Sequence, residues 1–380
     1  MFKKLFSLSS FLLILFVLAG CQDNQNPLTG ANDSETLSKK GNNVFAVYTL
    51  SNSLSGNEVM MYTRSASGSL SLAGSYPTNG NGTGAGLGSQ GSVVLSNGFL
   101  FAVNAGSDEV SVMRVNPGGL TVADKVSSGG TTPISLTVYN DLLYVLNAGA
   151  DGNITGFRIS GSGQLTSIPG STQPLSGAGV GPAQVEFNPW GNVLIVTEKG
   201  TNLIDTYPVG SDGVAGAPIT QASSGNTPYG FEFDKSGHLI VSDAFGGGAN
   251  AGAMSSYNVS PSGIDVITGP VANLQTAPCW VVVTKNGKFT YTSNTVTNNI
   301  SGYKIARDGS ITLFNDGGIT ASTGAGPIDM AVSNDSQYLY SLNAGDQTIS
   351  VFRIDNGHGG LKPVQTVSGL TMGGAGLAAN

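Results

Sequence analysis

The sequence predicts an all-β chain, a seven-bladed β-propeller of four-stranded antiparallel blades closed by the C-terminal strand in the first blade. Three observations carry this. Short Val/Ile/Tyr/Phe runs alternate with Gly, Ser, Thr and Asn along the chain, and the 56 glycines of 380 residues are about twice the usual ~7% share. A hairpin pattern recurs: Tyr340-Ser-Leu-Asn343-Ala-Gly with Thr348-Ile-Ser-Val-Phe-Arg-Ile354 matches Tyr144-Val-Leu-Asn147-Ala-Gly with Asn153-Ile-Thr-Gly-Phe-Arg-Ile159. The strand before each turn ends near Thr49, Asn104, Asn147, Glu198, Asp243, Asn294 and Asn343, in steps of 55, 43, 51, 45, 51 and 49 residues. Each step has room for four short strands, and such sheets bury their apolar faces only by stacking around an axis.

The N-terminus precedes this repeat. Lys3 and Lys4, the apolar run Phe11 to Leu18 and Leu18-Ala19-Gly20-Cys21 have the order of a signal peptide. Small residues before a cysteine resemble the bacterial lipobox, which implies a signal peptide over 1–20, cleavage before Cys21 and lipidation of Cys21. With Gln22 next, the resemblance implies the outer membrane, facing periplasm or surface, if the cell is Gram-negative. The expected address is thus the cell envelope, with the membrane as a partner through the lipid. Residues 21–42, rich in Asn, Gln, Ser and Lys, read as a flexible tether, and 43–380 as the propeller.

Within the repeat, a Gly-x-Leu outer strand follows the hairpin (Gly119-Leu120, Gly163-Gln-Leu165, Gly360-Leu361), and Pro133, Pro182, Pro228, Pro278 and Pro327 open inner strands. The first copy starts directly with its second strand. The tail Gly374-Ala-Gly-Leu-Ala-Ala-Asn380 resembles the start of an inner strand and is expected to supply the missing one.

Charge narrows the function. Removal of Lys3 and Lys4 leaves 14 basic and 23 acidic residues, net −9. An acidic, sparsely charged surface argues against nucleic acid as a partner. With Cys21 lipidated, Cys279 is the remaining thiol; no base is expected beside it, and it reads as structural. His238 and His358 are the two histidines, no cluster has metal-ligand spacing, and Gly84-Ala-Gly-Leu-Gly88 lacks the strand and helix of a dinucleotide site. No metal and no cofactor are expected.

Chemistry is sought where inner strands begin and second strands end, because both lie on one face around the channel. Glu186 and Glu232 hold equivalent positions in neighbouring inner strands. They read either as an acid/base pair with one raised pKa or as structural groups that cap backbone amides or hydrogen-bond an adjacent blade. Gln184, Tyr229, Trp280 and Asp329 sit near inner-strand starts; Glu198, Lys199, Asn202, Asp243 and Asn294 sit at the turns. Glu198 and Lys199 are expected to form a charged pair on the channel face, and Gly246 to Ala253 a flap over the mouth. Trp280 offers a ring for stacking, or packing.

At these residues a family resemblance enters. Tyr144-Val-Leu-Asn147, Tyr291-Thr-Ser-Asn294 and Tyr340-Ser-Leu-Asn343 resemble the Tyr-Val-Thr-Asn repeat. Phe187-Asn-Pro-Trp-Gly191 resembles the Phe-Ser-Pro-Asp-Gly step of the lactonase-like seven-bladed propellers. That family holds propeller-type 6-phosphogluconolactonases and carboxymuconate cyclases, and lactonase chemistry in it implies His and Arg near the inner-strand starts. The matching positions here are Ile134, Ala183-Gln184, Tyr229, Cys279-Trp280 and Ile328-Asp329, with neither residue type among them. The expectation is therefore a binding or interaction module for a small molecule, a glycan or a protein at the channel face. The alternative is a hydrolase that opens a sugar or aromatic lactone, with Glu186 or Glu232 as base and Lys199 or Asn202 polarising the carbonyl.

Overall fold

The computed structural model describes residues 45–380; the proposed signal peptide, Cys21 and the tether lie outside the described residues. Seven four-stranded antiparallel units form, each ordered from an inner strand outward. The inner strands are Ala375–Ala379, Val93–Ser96, Pro133–Tyr139, Pro182–Phe187, Pro228–Phe233, Pro278–Val283 and Pro327–Val332, for blades one to seven. Blades three and six carry an extra two-residue strand each, Gln173–Pro174 and Ala321–Ser322.

The expected closure is present. Ala375–Ala379 pairs with Ala46–Leu50, Val47 opposite Ala379 and Thr49 opposite Leu377. The first blade is therefore built from both ends of the described chain. Arg64 reinforces the junction: it ion-pairs with Asp335 of blade seven at 3.0 Å and lies between the Phe45 and Tyr338 rings.

Second strands such as Leu142–Asn147 and Val193–Glu198 are buried throughout because neighbouring blades cover both their faces. This explains their continuous apolar character, unlike the alternation of a half-exposed strand. The Tyr and Asn of the repeat have distinct tasks. The hydroxyl of Tyr144 donates to Gly213 O, and that of Tyr291 to Gly359 O, both at 2.8 Å, each reaching the next blade. The Asn amide closes its own turn: Asn294 Nδ2 donates to Asn299 Oδ1 and Ser301 Oγ, and Asn343 Nδ2 to Thr348 Oγ1 and Ser350 Oγ.

Pairing fixes the two faces of the ring. Pro182, at the start of an inner strand, lies opposite Glu198, at the end of a second strand. This entry face therefore gathers inner-strand starts and hairpin turns, and the exit face gathers inner-strand ends.

Candidate functional site

Inner strands enclose a cavity of about 410 Å³ on the axis. Its polar lining includes Gln90, Gln184, Glu186, Glu232, Asp329 and Lys285, set among valines and leucines. A second hollow of about 290 Å³ shares Glu186, Glu232 and Lys285 with it and reaches Pro189, Asp234 and Lys235. Since these three follow inner-strand ends, the cavity meets solvent at the exit face.

Glu186 and Glu232 come together as their equivalent positions require. The two carboxyls hydrogen-bond each other. Burial and then the charge of Glu232 raise Glu186 well above the ordinary carboxylate range. Burial also raises Glu232, with the ammonium of Lys285 opposing it. Two carboxyls in contact cannot both ionise cheaply, so the pair holds one proton. Gln184 fixes the arrangement: its Nε2 donates to Glu186 Oε2 and to Phe231 O, both at 2.9 Å, and its Oε1 accepts from Phe231 N. Asp329 lines the cavity from blade seven; burial raises its pKa, and Met330 N donates to its Oδ1 at 2.7 Å.

The entry mouth is closed by the chain itself. Between outer strand Leu70–Pro77 and inner strand Val93–Ser96 run residues 78–92, far longer than the connections 128–132 or 223–227 elsewhere. Part of this loop crosses the axis. Gln90 N donates to Ala183 O in blade four, and its side chain pairs with Val281 of blade six, Nε2 to O at 2.7 Å and Oε1 from N at 2.9 Å. Ser89 Oγ donates to Ile134 O in blade three at 2.7 Å. Gln90 and Gly91 thus form the cavity floor on the entry side.

This segment takes up the residues expected to bind ligand. Lys199 Nζ donates to Gly88 O at 2.6 Å and Pro182 O at 3.0 Å and lies over the Tyr229 ring, while burial lowers its pKa to about 8. Trp280 Nε1 donates to Ser89 O at 2.9 Å, and its ring packs on Tyr229. Lys199 also contacts Pro182, four residues before Glu186 on one strand, or about 13 Å at ~3.3 Å per residue. Lys199 therefore lies too far away to polarise a carbonyl attacked by a water that either glutamate activates. Asn202 also serves elsewhere, its Oδ1 accepting from Thr227 N at 2.7 Å.

The expected Glu198–Lys199 pair does not form. Glu198 is fully buried inside blade four, taking hydrogen bonds from Ser176 and Thr201, because successive residues of an extended chain face opposite ways. It also contacts Asp205, whose pKa rises to about 7 through burial first. Asp243 is likewise internal, as is Asn294. Ser255 hydrogen-bonds one Asp243 oxygen, the other has no partner, and burial raises its pKa to about 7. Gly246 to Ala253 opens with a 3-10 turn at Phe245–Gly247 and is tied to blade six: Asn250 N donates to Thr276 Oγ1 and Gly252 N to Gln275 O. Fixed there, it lines neither hollow. Cys279 is buried, its thiol pushed up to about 12. His238 is held by Asp234 at 2.8 Å and His358 lies at an exposed turn. Among the described residues, no group of three or more His, Cys, Asp or Glu could hold a metal.

Sequence reasoning missed Gln90, Ser89 and Lys285. The length of the 78–92 connection was the available signal for the first two; Lys285 lies two residues past Val283, where its strand ends.

A family model described as "Lactonase, 7-bladed beta-propeller" matches residues 250–373. The chain is a seven-bladed propeller that is similar to lactonases over this part of its length. A 6-phosphogluconolactonase of Serratia proteamaculans is 22% identical over 271 residues, 71% of this chain and 65% of that protein. One from Pectobacterium carotovorum is 24% identical over 276 residues, 72% of this chain and 66% of that protein. The matches thus span slightly less than two thirds of these relatives. Among solved structures, a putative 6-phosphogluconolactonase from Bacteroides fragilis superposes with TM-score 0.68 at 17% identity, covering 90% of this chain and all of that one. A periplasmic gluconolactonase from Pseudomonas aeruginosa gives 0.71 at 15%, covering 89% and 99%. These two likenesses show the fold. In this propeller, Ala183, Gln184, Tyr229, Trp280 and Asp329, where His and Arg were sought, pack against the crossing segment or line the cavity.

Proposed function

We propose that this lactonase-like propeller is a lipid-anchored cell-envelope protein that binds a small polar molecule in its channel through the exit mouth. The observation that carries the reading is the cavity of about 410 Å³, floored by Gln90 and lined at its open end by Glu186, Glu232 and Lys285. Paired donors and acceptors among apolar walls suit a polyhydroxylated ligand such as a sugar, sugar acid or lactone. The Leu18-Ala19-Gly20-Cys21 sequence supports lipid attachment and an envelope address. Calorimetric titration with gluconate, glucono-lactone and neutral sugars tests the binding. Heat of binding abolished by Glu186→Gln with Glu232→Gln supports it, and no saturable heat from any of them sinks it.

A second reading, lactone hydrolysis, is favoured by the carboxyl–carboxylate pair, since one group can accept a proton while the other donates one. Glu232 would take a proton from the water attacking the lactone carbonyl, and Glu186 would protonate the departing ring oxygen. Lys285, rather than Lys199, is the cation on this side for the carbonyl oxygen. The names of the Serratia and Pseudomonas proteins support this reading by analogy of fold. Acid release from lactones above the buffer rate, lost in either glutamine variant, would make hydrolysis the function and binding its first step.

A further inference from the structure

Residues 84–91 cross the entry mouth, held by bonds that run both ways: Ser89 Oγ donates to Ile134 O, Gln90 N to Ala183 O and Gln90 Nε2 to Val281 O, while a second set is accepted by the segment's own oxygens. Lys199 Nζ donates to Gly88 O, Trp280 Nε1 to Ser89 O, Leu136 N to Gly91 O and Val281 N to Gln90 Oε1, at 2.6–2.9 Å. Four donors from blades three, four and six thus converge on carbonyl oxygens, and one of them is an ammonium. The segment's one large apolar side chain, Leu87, packs against two neighbouring core clusters. Gly84 to Gly86 are exposed and Leu87 is only half-buried. Gly84 and Gly91 have φ of +70° and +80°, conformations that glycine reaches without strain. Segments held by polar bonds with few apolar contacts open at lower cost than the sheets around them.

We propose that residues 84–91 are a strap that lifts as a unit about Gly84 and Gly91. Lifting opens the second mouth of the channel and uncovers a site for a ligand that presents carboxylate or carbonyl oxygens to Lys199, Trp280, Leu136 and Val281. The strap is the built-in occupant of that site, its carbonyls standing in for the ligand's. This holds whether or not anything binds at the Glu186 end.

Cys279 is a reporter for opening, because the residue is buried, only 8% exposed, and its thiol lies near Lys199 and Tyr229. In the full chain, alkylation by iodoacetamide is followed on the peptide containing Cys279, with hydrogen exchange on the peptide containing 84–91. In wild type, exchange of the strap should run ahead of the inner strands and be insensitive to denaturant below the unfolding transition. Gln90→Ala and Trp280→Phe should each speed alkylation of Cys279 at least tenfold. Acetate, used as the probe, should raise strap exchange saturably, and chloride at equal ionic strength should not. The proposal is overturned if the strap exchanges only with global unfolding, if neither variant changes alkylation, or if acetate does no more than chloride.

Discussion

The indole nitrogen of Trp280 donates to the main-chain oxygen of Ser89 at 2.9 Å, across a sequence separation of 191 residues. That bond ties blade six to a loop that opens blade two. It turns a residue suited to stacking on a ligand into a fastener for the chain. The channel is in consequence open at one end, where Glu186, Glu232 and Lys285 lie.

Closure should dominate stability. Deleting residues 373–380 removes the inner strand of blade one, its ladder with Ala46–Leu50 and the buried side chain of Leu377. Ladder bonds at about 1 kcal/mol each and a leucine at about 2 kcal/mol are a large part of the total stability of many domains. The expected outcome in a thermal scan is a loss of about 10 °C or more, or no cooperative transition. An unchanged Tm would reject closure by this strand.

Asp243 should make the protein less stable as pH rises. Burial holds its carboxyl at about 7 against an ordinary 3.8. Between those values the folded chain keeps a proton that the unfolded chain has released. The associated stability is therefore complete below about pH 4 and lost as pH climbs through 7. At about 1.4 kcal/mol per pH unit the upper bound is about 4 kcal/mol. Asp243→Asn installs the residue that stands there in four sibling blades (Asn104, Asn147, Asn294 and Asn343). Denaturant titrations should show the variant matching wild type near pH 4 and exceeding it at pH 8.

The shared proton of Glu186 and Glu232 should be visible directly. A difference infrared spectrum at pH 7, wild type minus Glu186→Gln, should contain the carbonyl stretch of a protonated carboxylic acid. Glu186→Gln should leave Tm nearly unchanged, because an amide donates to Glu232 as the protonated carboxyl does. Two ionised carboxylates at pH 7 would remove the acid/base reading.

Gly237 has φ +83°, and a Cβ there would overlap the ring of Trp190, which is 55% exposed. Gly237→Ala should cost about 1–2 kcal/mol from the left-handed backbone alone, since the exposed ring can swing away. Trp190 emission should shift to the red. Adding Trp190→Ala should restore little stability, which a double-mutant cycle would measure.

The sequence by itself determined the propeller. Periods of 43 to 55 residues, Tyr144 and Asn147 with their counterparts, and the strand-like tail at Gly374 state one repeated unit and its closure, because each blade's hydrogen bonds and apolar face are local. It also paired Glu186 with Glu232, since equivalent positions in adjacent blades must be neighbours. Tertiary structure alone decided which mouth is open and what Lys199, Glu198 and Trp280 do. Spacing places a residue on a blade, but a loop such as 84–91 can cross the axis and meet partners about a hundred to two hundred residues away. Such contacts depend on where all seven blades stand together, and no local pattern encodes them.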